Sequence, residues 1–383
     1  MRYHSLRAFV HGEPVLSASL VCAVISMFFA PPSAAYLGYI DTRVLILLFC
    51  LMAVVSGMQK YDVFDLLAQK LLAGRHALRT IVLLLTLLPF FASMAITNDV
   101  ALITFVPFAI LVLGLVGQRA LLIPVIVLQT VAANLGSMVT PVGNPQNLFL
   151  YASYELSAGQ FFGVVLPFAL ISLVGVAALA LCRKSCILQV SFAEPKQITD
   201  SKRVTFFGVL FILCLLTVFH VLPDLALLGL VCLSLLLIDR DIFRRIDYGL
   251  LLTFVCFFLF AGNIGSPDGG VTRLQNTTLI RKSLSIVGSS PLLASLAASQ
   301  IISNVPAAVL LRSFTENWQA LLLGVNIGGL GTPIASLASL ISFRFYAHTP
   351  EAKPGRYLAW FTLINVVGLV ILVALAWVLG YLG

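Results

Sequence analysis

Residues 134–147 read N-L-G-S-M-V-T-P-V-G-N-P-Q-N, and residues 326–339 read N-I-G-G-L-G-T-P-I-A-S-L-A-S. The two stretches share Asn, Gly, Thr and Pro at matching places, so the chain contains an internal repeat. Proline has no backbone N–H and clashes with the preceding turn, so Pro141, Pro145 and Pro333 prevent a regular helix. Each copy therefore predicts a helix that is broken in its middle.

The sequence around these stretches is too apolar for a soluble protein. Of its 383 residues 60% are apolar and 10% are charged, whereas soluble domains carry about 25% charged residues. Apolar runs long enough to cross a bilayer recur from end to end. The net charge of +8 does not indicate nucleic-acid binding, because Lys and Arg fall between the apolar runs rather than on one face. We therefore expect an all-α polytopic membrane protein.

Most of the apolar runs have the length of a transmembrane span, and two others do not fit a single span. The predicted spans are about 14–35, 42–59, 120–155, 160–182, 205–222, 225–239, 248–263, 318–346 and 357–381. Residues 80–117 are interrupted by Thr97-Asn98-Asp99, and residues 284–316 by Ser303-Asn304-Val305-Pro306. After the second interruption only about 12 residues of helix remain, roughly 18 Å, which is too short to cross. Both segments are therefore predicted to be re-entrant hairpins, whose broken backbone must be buried in protein or line a cavity.

The positions of Lys and Arg predict the orientation. With the N-terminus inside, most of the 23 basic residues lie on the inner side, and only Arg43, Arg273, Arg281, Lys282 and Arg312 lie outside. This split follows the positive-inside rule. We expect an integral protein of the bacterial inner membrane with a cytoplasmic N-terminus and an external C-terminus.

The order of hairpin, broken helix and last helix occurs twice. The first unit is 1–182, with its hairpin at about 80–117 and its broken helix at 120–155, and the second is 225–383, with its hairpin at about 284–316 and its broken helix at 318–346. Residues 183–224 supply a basic loop and a linking helix. Four spans and one linking helix make five crossings of the membrane. The second unit therefore starts on the opposite side from the first, and the two units are inverted. Inverted repeats with helices interrupted at matching positions are typical of secondary transporters.

The two hairpin tips, T-N-D at 97–99 and S-N-V-P at 303–306, and the sequence A-N-L-G-S-M-V-T-P-V-G-N-P-Q-N carry a resemblance to a known family. Together they resemble the ion transporter superfamily, which includes citrate and dicarboxylate symporters, arsenite permeases and related bacterial anion permeases. The resemblance implies a homodimer in which a transport part moves as an elevator against a scaffold. It also implies that the tips bind substrate and that the helix breaks hold coupling ions. Carried over by position, the residues that would contact substrate are Thr97, Asn98, Ser303 and Asn304.

The breaks add further candidates, because half-helix ends expose N–H and C=O groups and nearby Asn, Thr and Ser side chains supplement them. The predicted substrate ligands are Thr97, Asn98, Ser303, Asn304, Thr140 and Thr332, and the predicted ion-coupling residues are Asp99, Asn134, Gly143, Asn144, Asn147, Asn326 and Ser336. For the asparagines the alternative is a structural role, in which they hold the tips closed or satisfy the backbone at the breaks. No cofactor is expected, and Na⁺ is a candidate coupling ion.

The third tip position departs from the Ser-Asn-Thr pattern of the dicarboxylate symporters, since it is Asp99 in one copy and Val305 in the other. A carboxylate inside a membrane is costly and indicates a role in binding Na⁺ or carrying H⁺. The alternative role is a cap on the outgoing half-helix. An ionised Asp99 would repel an anion, which favours cation coupling or a neutral substrate such as arsenous acid.

Other function classes have little support in the sequence. Neither an H-E-x-x-H nor a G-x-S-x-G motif is present, and Asp99 has no second acid in a matching hairpin, so an intramembrane enzyme is not expected. A passive channel would also use broken helices, but inverted repeats favour alternating access. The sequence thus predicts a secondary transporter of a small anion, first of the citrate or dicarboxylate type, with an arsenite or other oxyanion permease as the alternative.

Overall fold

The computed structural model describes residues 13–182, 186–192, 200–265, 290–350 and 352–382. In these residues the fold is helical, and two short strands are the only extended elements. The helices are α1 Pro14–Phe29, α2 Ala35–Tyr39, α3 Thr42–Lys60, α4 Val63–Leu72, α5 Leu78–Ala92, α6 Asn98–Leu115, α7 Leu122–Ser137, α8 Pro145–Ser153, α9 Ala158–Leu181, α10 Ser201–Val218, α11 Asp224–Ile238, α12 Tyr248–Gly265, α13 Pro291–Ile302, α14 Asn304–Arg312, α15 Trp318–Ile327, α16 Leu337–Ala347 and α17 Pro354–Val378. Short 3-10 helices cover Arg119–Leu121 and Arg240–Arg245. The predicted all-α polytopic membrane protein is confirmed.

Six helical segments of the described chain are long and apolar enough to cross a membrane. They are Thr42–Lys60, Asn98–Leu115, Arg119–Ser137, Ala158–Leu181, Ser201–Val218 and Pro354–Val378. The predicted span 14–35 is shorter than expected, since α1 ends at Phe29. Pro31 and Pro32 follow and cannot continue its hydrogen-bond ladder, so the chain restarts as the short α2.

Two interruptions in each half divide the helices near the middle of the molecule. α5 and α6 meet through residues 93–97, whereas α13 and α14 are separated by Ser303 alone. The first broken helix is divided into α7 and α8 by residues 138–144, and the second into α15 and α16 by residues 328–336. The outgoing limb of the second hairpin, α14, has only nine residues, about 14 Å of helix. The beginning of that hairpin, residues 284–289, and the outside residues Arg273, Arg281 and Lys282 lie beyond the described ranges.

Helix α7 is the centre of the fold. It packs against α5, α6, α9 and α17, and almost every residue from Leu122 to Ser137 is buried. The helices α10 and α17 are at the periphery and carry many exposed Leu, Ile and Val side chains, which suit contact with lipid. The α7–α8 break is therefore held by the best-packed part of the protein.

Two short strands that the sequence reading did not predict join the connections on one side. β1 (Gly74–Ala77) pairs antiparallel with β2 (Ile187–Val190), with Gly74 opposite Val190. β1 precedes the first hairpin and β2 follows α9. The pair therefore ties the entrance of the hairpin to the end of the first half.

Charged groups predicted to share a side of the membrane lie together in the structure. Lys60 Nζ is 2.7 Å from both carboxylate oxygens of the buried Asp239, and Tyr61 Oη donates to the same carboxylate at 2.8 Å. The guanidinium of Arg203 donates to Tyr61 Oη at 2.6 Å. This cluster joins the ends of α3, α10 and α11 that are predicted to face the cytoplasm. On the opposite end of α3, Arg43 lies 2.6 Å from a ring nitrogen of His220.

Candidate functional site

Each hairpin tip is fastened to the neighbouring helix break by one backbone hydrogen bond. The N–H of Asn98 donates to the carbonyl of Gly143 at 3.2 Å, and the N–H of Asn304 donates to the carbonyl of Ala335 at 3.0 Å. Each asparagine Oδ1 then accepts from the next N–H along the chain, that of Asp99 at 3.0 Å and that of Val305 at 2.9 Å. The two tips thus use the same construction to begin α6 and α14.

The two threonines of the Thr–Pro pairs make a second matching attachment. Thr140 Oγ1 donates to the carbonyl of Met94, and Thr332 Oγ1 donates to the carbonyl of Gln300 at 3.2 Å. Met94 and Gln300 lie at the ends of the incoming hairpin limbs. Thr332 is exposed, and its N–H also donates to Gln300 Oε1 at 2.9 Å. The structure therefore uses both predicted substrate ligands to hold breaks to hairpins.

Asn134, at the end of α7, hydrogen-bonds both to the tip of its own half and to residues of the other half. Its Oδ1 accepts from Asn98 Nδ2 at 2.9 Å and from Ser336 Oγ at 3.0 Å. Its Nδ2 donates to Ser339 Oγ at 3.4 Å. Asn134 therefore connects the first hairpin tip with the break of the second half.

Asn326 makes the reciprocal connection from the second half to the first. Its Oδ1 accepts from Asn144 Nδ2 at 3.1 Å, and its Nδ2 donates to Asn147 Oδ1 at 2.7 Å. All three asparagines are buried. Because Asn134 and Asn326 occupy the same place in the sequence repeat, the two halves exchange equivalent hydrogen bonds.

The amide oxygens of these asparagines are already occupied. Asn144 Oδ1 accepts from the N–H of Asn147 at 2.8 Å, which caps α8. Asn147 Nδ2 donates to the carbonyls of Ser137, Met138 and Thr140 at 3.1 to 3.3 Å. These bonds satisfy the backbone at the proline break, which is the structural alternative considered from sequence. Ion binding by this network stays a prediction, and in the present conformation its oxygens serve as hydrogen-bond acceptors.

Close backbone packing around the first break requires glycine. A Cβ on Gly143 would lie 2.2 Å from the carbonyl oxygen of Ser137, and one on Gly136 would lie 2.1 Å from that of Phe90. Both distances are far inside van der Waals contact. Because glycine has no Cβ, the backbone of the break can pack against these carbonyl groups. This packing accounts for the two glycines without any need for a bound ligand.

A small cavity lies between the two tips, with a volume of about 70 Å³, enough for a few water molecules. Both halves line it, through Asn98, Asp99 and Gln146 from the first and Asn304 and Ser336 from the second. We call it the tip cavity. Gln146 is 2% exposed, and its amide has no hydrogen bond within the described chain. The Nδ2 of Asn304 likewise has no described partner, unlike that of Asn98.

A larger cavity of about 320 Å³ adjoins the tip cavity. We call it the vestibule; its polar lining includes Thr97, Asp99, Asn144, Arg245 and Asp247. Asp99 belongs to both cavities, and among the described residues its carboxylate makes no hydrogen bond or ion pair. Asp99 therefore stands where any solute moving between the two cavities would pass.

Acidic side chains dominate the charge of the tip cavity. Besides Asp99 it is lined by Glu13 and Asp247, which immediately precede α1 and α12, and none of the described residues that line it is Lys, Arg or His. A Cβ on Gly249 would lie 3.1 Å from a Glu13 oxygen and 3.2 Å from an Asp247 oxygen, so the two carboxylates converge there. Burial, and then the Asp247 charge, raises the pKa of Glu13. The cavity thus favours cations or neutral solutes over anions.

The predicted site residues divide into two sets. Thr97, Asn98, Asp99, Asn144, Asn304 and Ser336 line the tip cavity or the vestibule, whereas Ser303, Thr140, Thr332, Asn134, Gly143, Asn147 and Asn326 line neither and support those that do. Sequence reasoning missed Gln146, Glu13 and Asp247. Gln146 could have been found, because it lies inside the quoted motif between two chosen asparagines. The two acids gave no local signal, since only the fold brings them to the tips.

Known proteins resemble the chain over most of its length. The model of the citrate transporter family, CitMHS, matches residues 12–317. An uncharacterized transporter of Methanocaldococcus jannaschii is 32% identical over 346 residues, which cover 88% of this chain and 90% of that protein. The inner membrane protein YbiR of Escherichia coli is 28% identical, with 88% of each chain covered. A silicon efflux transporter of Oryza sativa is 31% identical over 192 residues, which are 49% of this chain and 39% of that protein.

These matches agree with the geometry of the site. The broken helices and polar tips surround a cavity in the interior of an apolar helical protein, and the family and its relatives are transporters rather than enzymes. The chain is therefore a membrane transporter that belongs to the citrate transporter family.

Proposed function

We propose that the protein is a secondary active transporter that binds a small oxyacid in its neutral form between the hairpin tips. One observation carries the proposal, namely that corresponding segments of both halves line one interior cavity. Asn98 and Asn304 come from the tips, Gln146 from the first turn of α8 and Ser336 from the second break. A site shared by two repeat units is what alternating access requires.

The chemistry of the lining supports a neutral, hydroxylated substrate. The free amide groups of Gln146 and Asn304 can both donate, and Gln146 and the nearby carboxylates can accept. A polyanion such as citrate would be repelled by Asp99, Glu13 and Asp247, and no basic side chain among the described residues of the tip cavity offsets them. Arsenous and silicic acids are small, uncharged near neutral pH and rich in hydroxyl groups, and the name of the rice relative is consistent with this class.

Asp99 is the proposed coupling residue. Its carboxylate lies at the junction of the tip cavity and the vestibule and has no counter-charge bonded to it among the described residues. A carboxylate in such a position binds H⁺ or Na⁺ rather than remaining charged and alone. Movement of the substrate would then be tied to the gradient of that cation.

An elevator-type movement of a homodimer is the proposed mechanism, with the two halves as inverted repeats. The hairpins and broken helices form one hydrogen-bonded unit through Asn134 and Asn326. Its contact with α12 is apolar, since the ring of Phe149 lies 6.3 Å from that of Phe254 and 5.6 Å from that of Phe258. An interface without directional bonds can slide at low cost. Glu13 and Asp247 line the tip cavity, which supports an opening on the side of the N-terminus, the side predicted to be cytoplasmic.

A citrate or dicarboxylate anion is the second candidate. It is favoured by the description of the matching family and by Arg245, a basic side chain lining the 320 Å³ vestibule. A carboxylate substrate would enter next to Arg245, and cations bound at Asp99 would have to accompany it into the tip cavity.

Uptake into proteoliposomes tests both candidates. Labelled arsenous acid, silicic acid and citrate would be offered separately under an imposed H⁺ or Na⁺ gradient. Gradient-driven accumulation of an oxyacid, lost in Asn304→Ala and retained in Asn317→Ala, would support the proposal, because Asn317 caps α15 and lines neither the tip cavity nor the vestibule. Accumulation of citrate alone would select the second candidate. Conduction that ignores both gradients would refute secondary transport.

A further inference from the structure

A third cavity lies away from the hairpin tips and carries the opposite charge. Its volume is about 330 Å³, and it is enclosed by the α6–α7 connection on one side and the α16–α17 connection on the other. Three basic residues, Arg119, Lys353 and Arg356, line it, and none of the described residues in its lining is Asp or Glu. We call it the basic pocket.

The three cations lack counter-charges in the described parts of the chain. None of them forms an ion pair there, whereas Lys60, Arg203 and Arg312 elsewhere all do. Like charges gathered around one cavity repel one another, and an anion placed between them would relieve that repulsion. The arrangement therefore indicates an anionic ligand.

Two fixed groups of the protein add to this preference. Lys353 precedes Pro354 at the start of α17, and neither a capping side chain nor an acidic residue occupies the first turn, so the positive end of the helix dipole is left open. The hydroxyl of Tyr346, a residue 3% exposed, accepts from the N–H of Lys353 at 2.9 Å. Its own proton has no acceptor among the described residues, and its ring is held by stacking on Tyr357 at 4.9 Å. A buried donor is thus fixed in the wall of the pocket.

The surface beyond the basic pocket has the character of an acyl-chain groove. An open groove runs along α17, lined by Leu358, Ala359, Thr362, Leu363 and Val366. Leu363 is 57% exposed and Val366 45%. The groove begins within one turn of Arg356, and ten residues of helix from there to Val366 span about 15 Å, the depth of one leaflet. An apolar strip as long as one leaflet is deep therefore begins two residues after Arg356 of the basic pocket.

We propose that the basic pocket binds the phosphate of an anionic phospholipid, whose acyl chain follows α17. Arg119, Lys353 and Arg356 lie on the side predicted to be cytoplasmic, where anionic lipids attract basic clusters. The lipid would bridge the first hairpin, through the α6–α7 connection, to the last helix of the second half. This site is separate from the tip cavity and does not depend on the identity of the transported solute.

Thermal unfolding of delipidated protein in detergent tests the proposal. Phosphatidylglycerol, phosphatidylcholine, inorganic phosphate and glycerol phosphate would be added separately. We expect phosphatidylglycerol to raise the unfolding midpoint by about 3 °C or more at saturation, and the other three to raise it by much less. The triple variant Arg119→Gln, Lys353→Gln, Arg356→Gln should lose at least half of that shift, and all three side chains are exposed, so folding should be retained.

A matched control separates the pocket from general surface charge. The variant Lys70→Gln, Arg240→Gln, Arg244→Gln removes three exposed cations predicted on the same side that do not line the pocket. It should keep the full phosphatidylglycerol shift. An equal loss in both triple variants would show nonspecific attraction and overturn the proposal. An equal shift with inorganic phosphate would also overturn it, since the pocket would then be a site for a free anion.

Discussion

The tips of the two hairpins hold the same asparagine in the same way. Asn98 and Asn304 each donate a backbone N–H to the adjacent break and accept the next N–H with the side-chain oxygen. Their surroundings differ. Asn98 Nδ2 is bonded to Asn134 and is followed by a carboxylate, whereas Asn304 Nδ2 has no described partner and is followed by Val305.

The hydrogen bonds that build the two tips are therefore the same, whereas the groups beside them that could bind an ion or a solute differ. The shared asparagine builds the turn in both halves, and the neighbouring positions assign each tip its own task. In the proposed mechanism the first tip carries the charge that couples a cation, and the second offers the Nδ2 group of Asn304 to the solute. One tip can therefore be altered in chemistry without removing the hydrogen bonds that build it.

The largest effect is expected from removing the charge of the first tip. Asp99→Asn keeps the size of the side chain but cannot bind a cation by charge, so gradient-driven uptake should fall about 10- to 150-fold, given about 1.5–3 kcal/mol for a charge-assisted contact. Initial uptake rates with and without the gradient measure this. Glu316→Gln, which neutralises a side chain that is 89% exposed, is the control. Unchanged coupling in Asp99→Asn would reduce Asp99 to a helix cap.

Adding a methyl group at the first break and removing one at the second should change the stability of the protein by different amounts. Gly143 and Ala335 both accept the tip N–H, but only Gly143 lies 2.2 Å from a carbonyl oxygen at its Cβ position. Gly143→Ala should therefore destabilise the protein by about 1–3 kcal/mol. The reverse change, Ala335→Gly, should cost about 0.5–1 kcal/mol through chain entropy alone. Unfolding midpoints in detergent compare them, and an equal loss would contradict the crowding argument.

Truncating the two asparagines should distinguish their roles. Asn98→Ala loses two side-chain hydrogen bonds and should destabilise the protein by about 2 kcal/mol, whereas Asn304→Ala loses one strong bond and should cost about 1 kcal/mol. Transport should be lost in both, because both line the tip cavity. Wild-type uptake in Asn304→Ala would exclude that residue from the site whatever its stability.

The smallest effect is expected from the residue before each asparagine. Ser303 has φ 73° and ψ 156°, a region that is favourable only for glycine, while Thr97 has an ordinary extended conformation with φ −63°. Ser303→Gly should stabilise the protein by up to about 1 kcal/mol, and Thr97→Gly should destabilise it by a similar amount. Differential scanning of the purified variants measures both signs. A loss of stability in Ser303→Gly would show that the Ser303 hydroxyl stabilises the protein by more than the backbone strain at this residue destabilises it.

Features encoded locally were accessible from sequence. The prolines at 141, 145 and 333 indicated the helix breaks, and the polar triplets in apolar runs indicated the two tips. Features that depend on the approach of distant segments were not accessible. No local pattern reveals that Asn134 bonds to Ser336 or that Glu13 and Asp247 meet beside Asp99. Residue type alone also could not separate Asn144, which lines the vestibule, from Asn147, which caps broken backbone.

The crossed hydrogen bonds of Asn134 and Asn326 have a consequence for biosynthesis. Their partners are 179 to 205 residues away along the chain. At about 5–20 residues per second, a ribosome needs about 10 to 40 s to make that length. During that time Asn134, Asn144 and Asn147 lack their partners from the second half and have only those within the first half. The first half must therefore be inserted with the amide groups that bond across the halves still unpaired, and the polar centre can close only when translation is nearly complete.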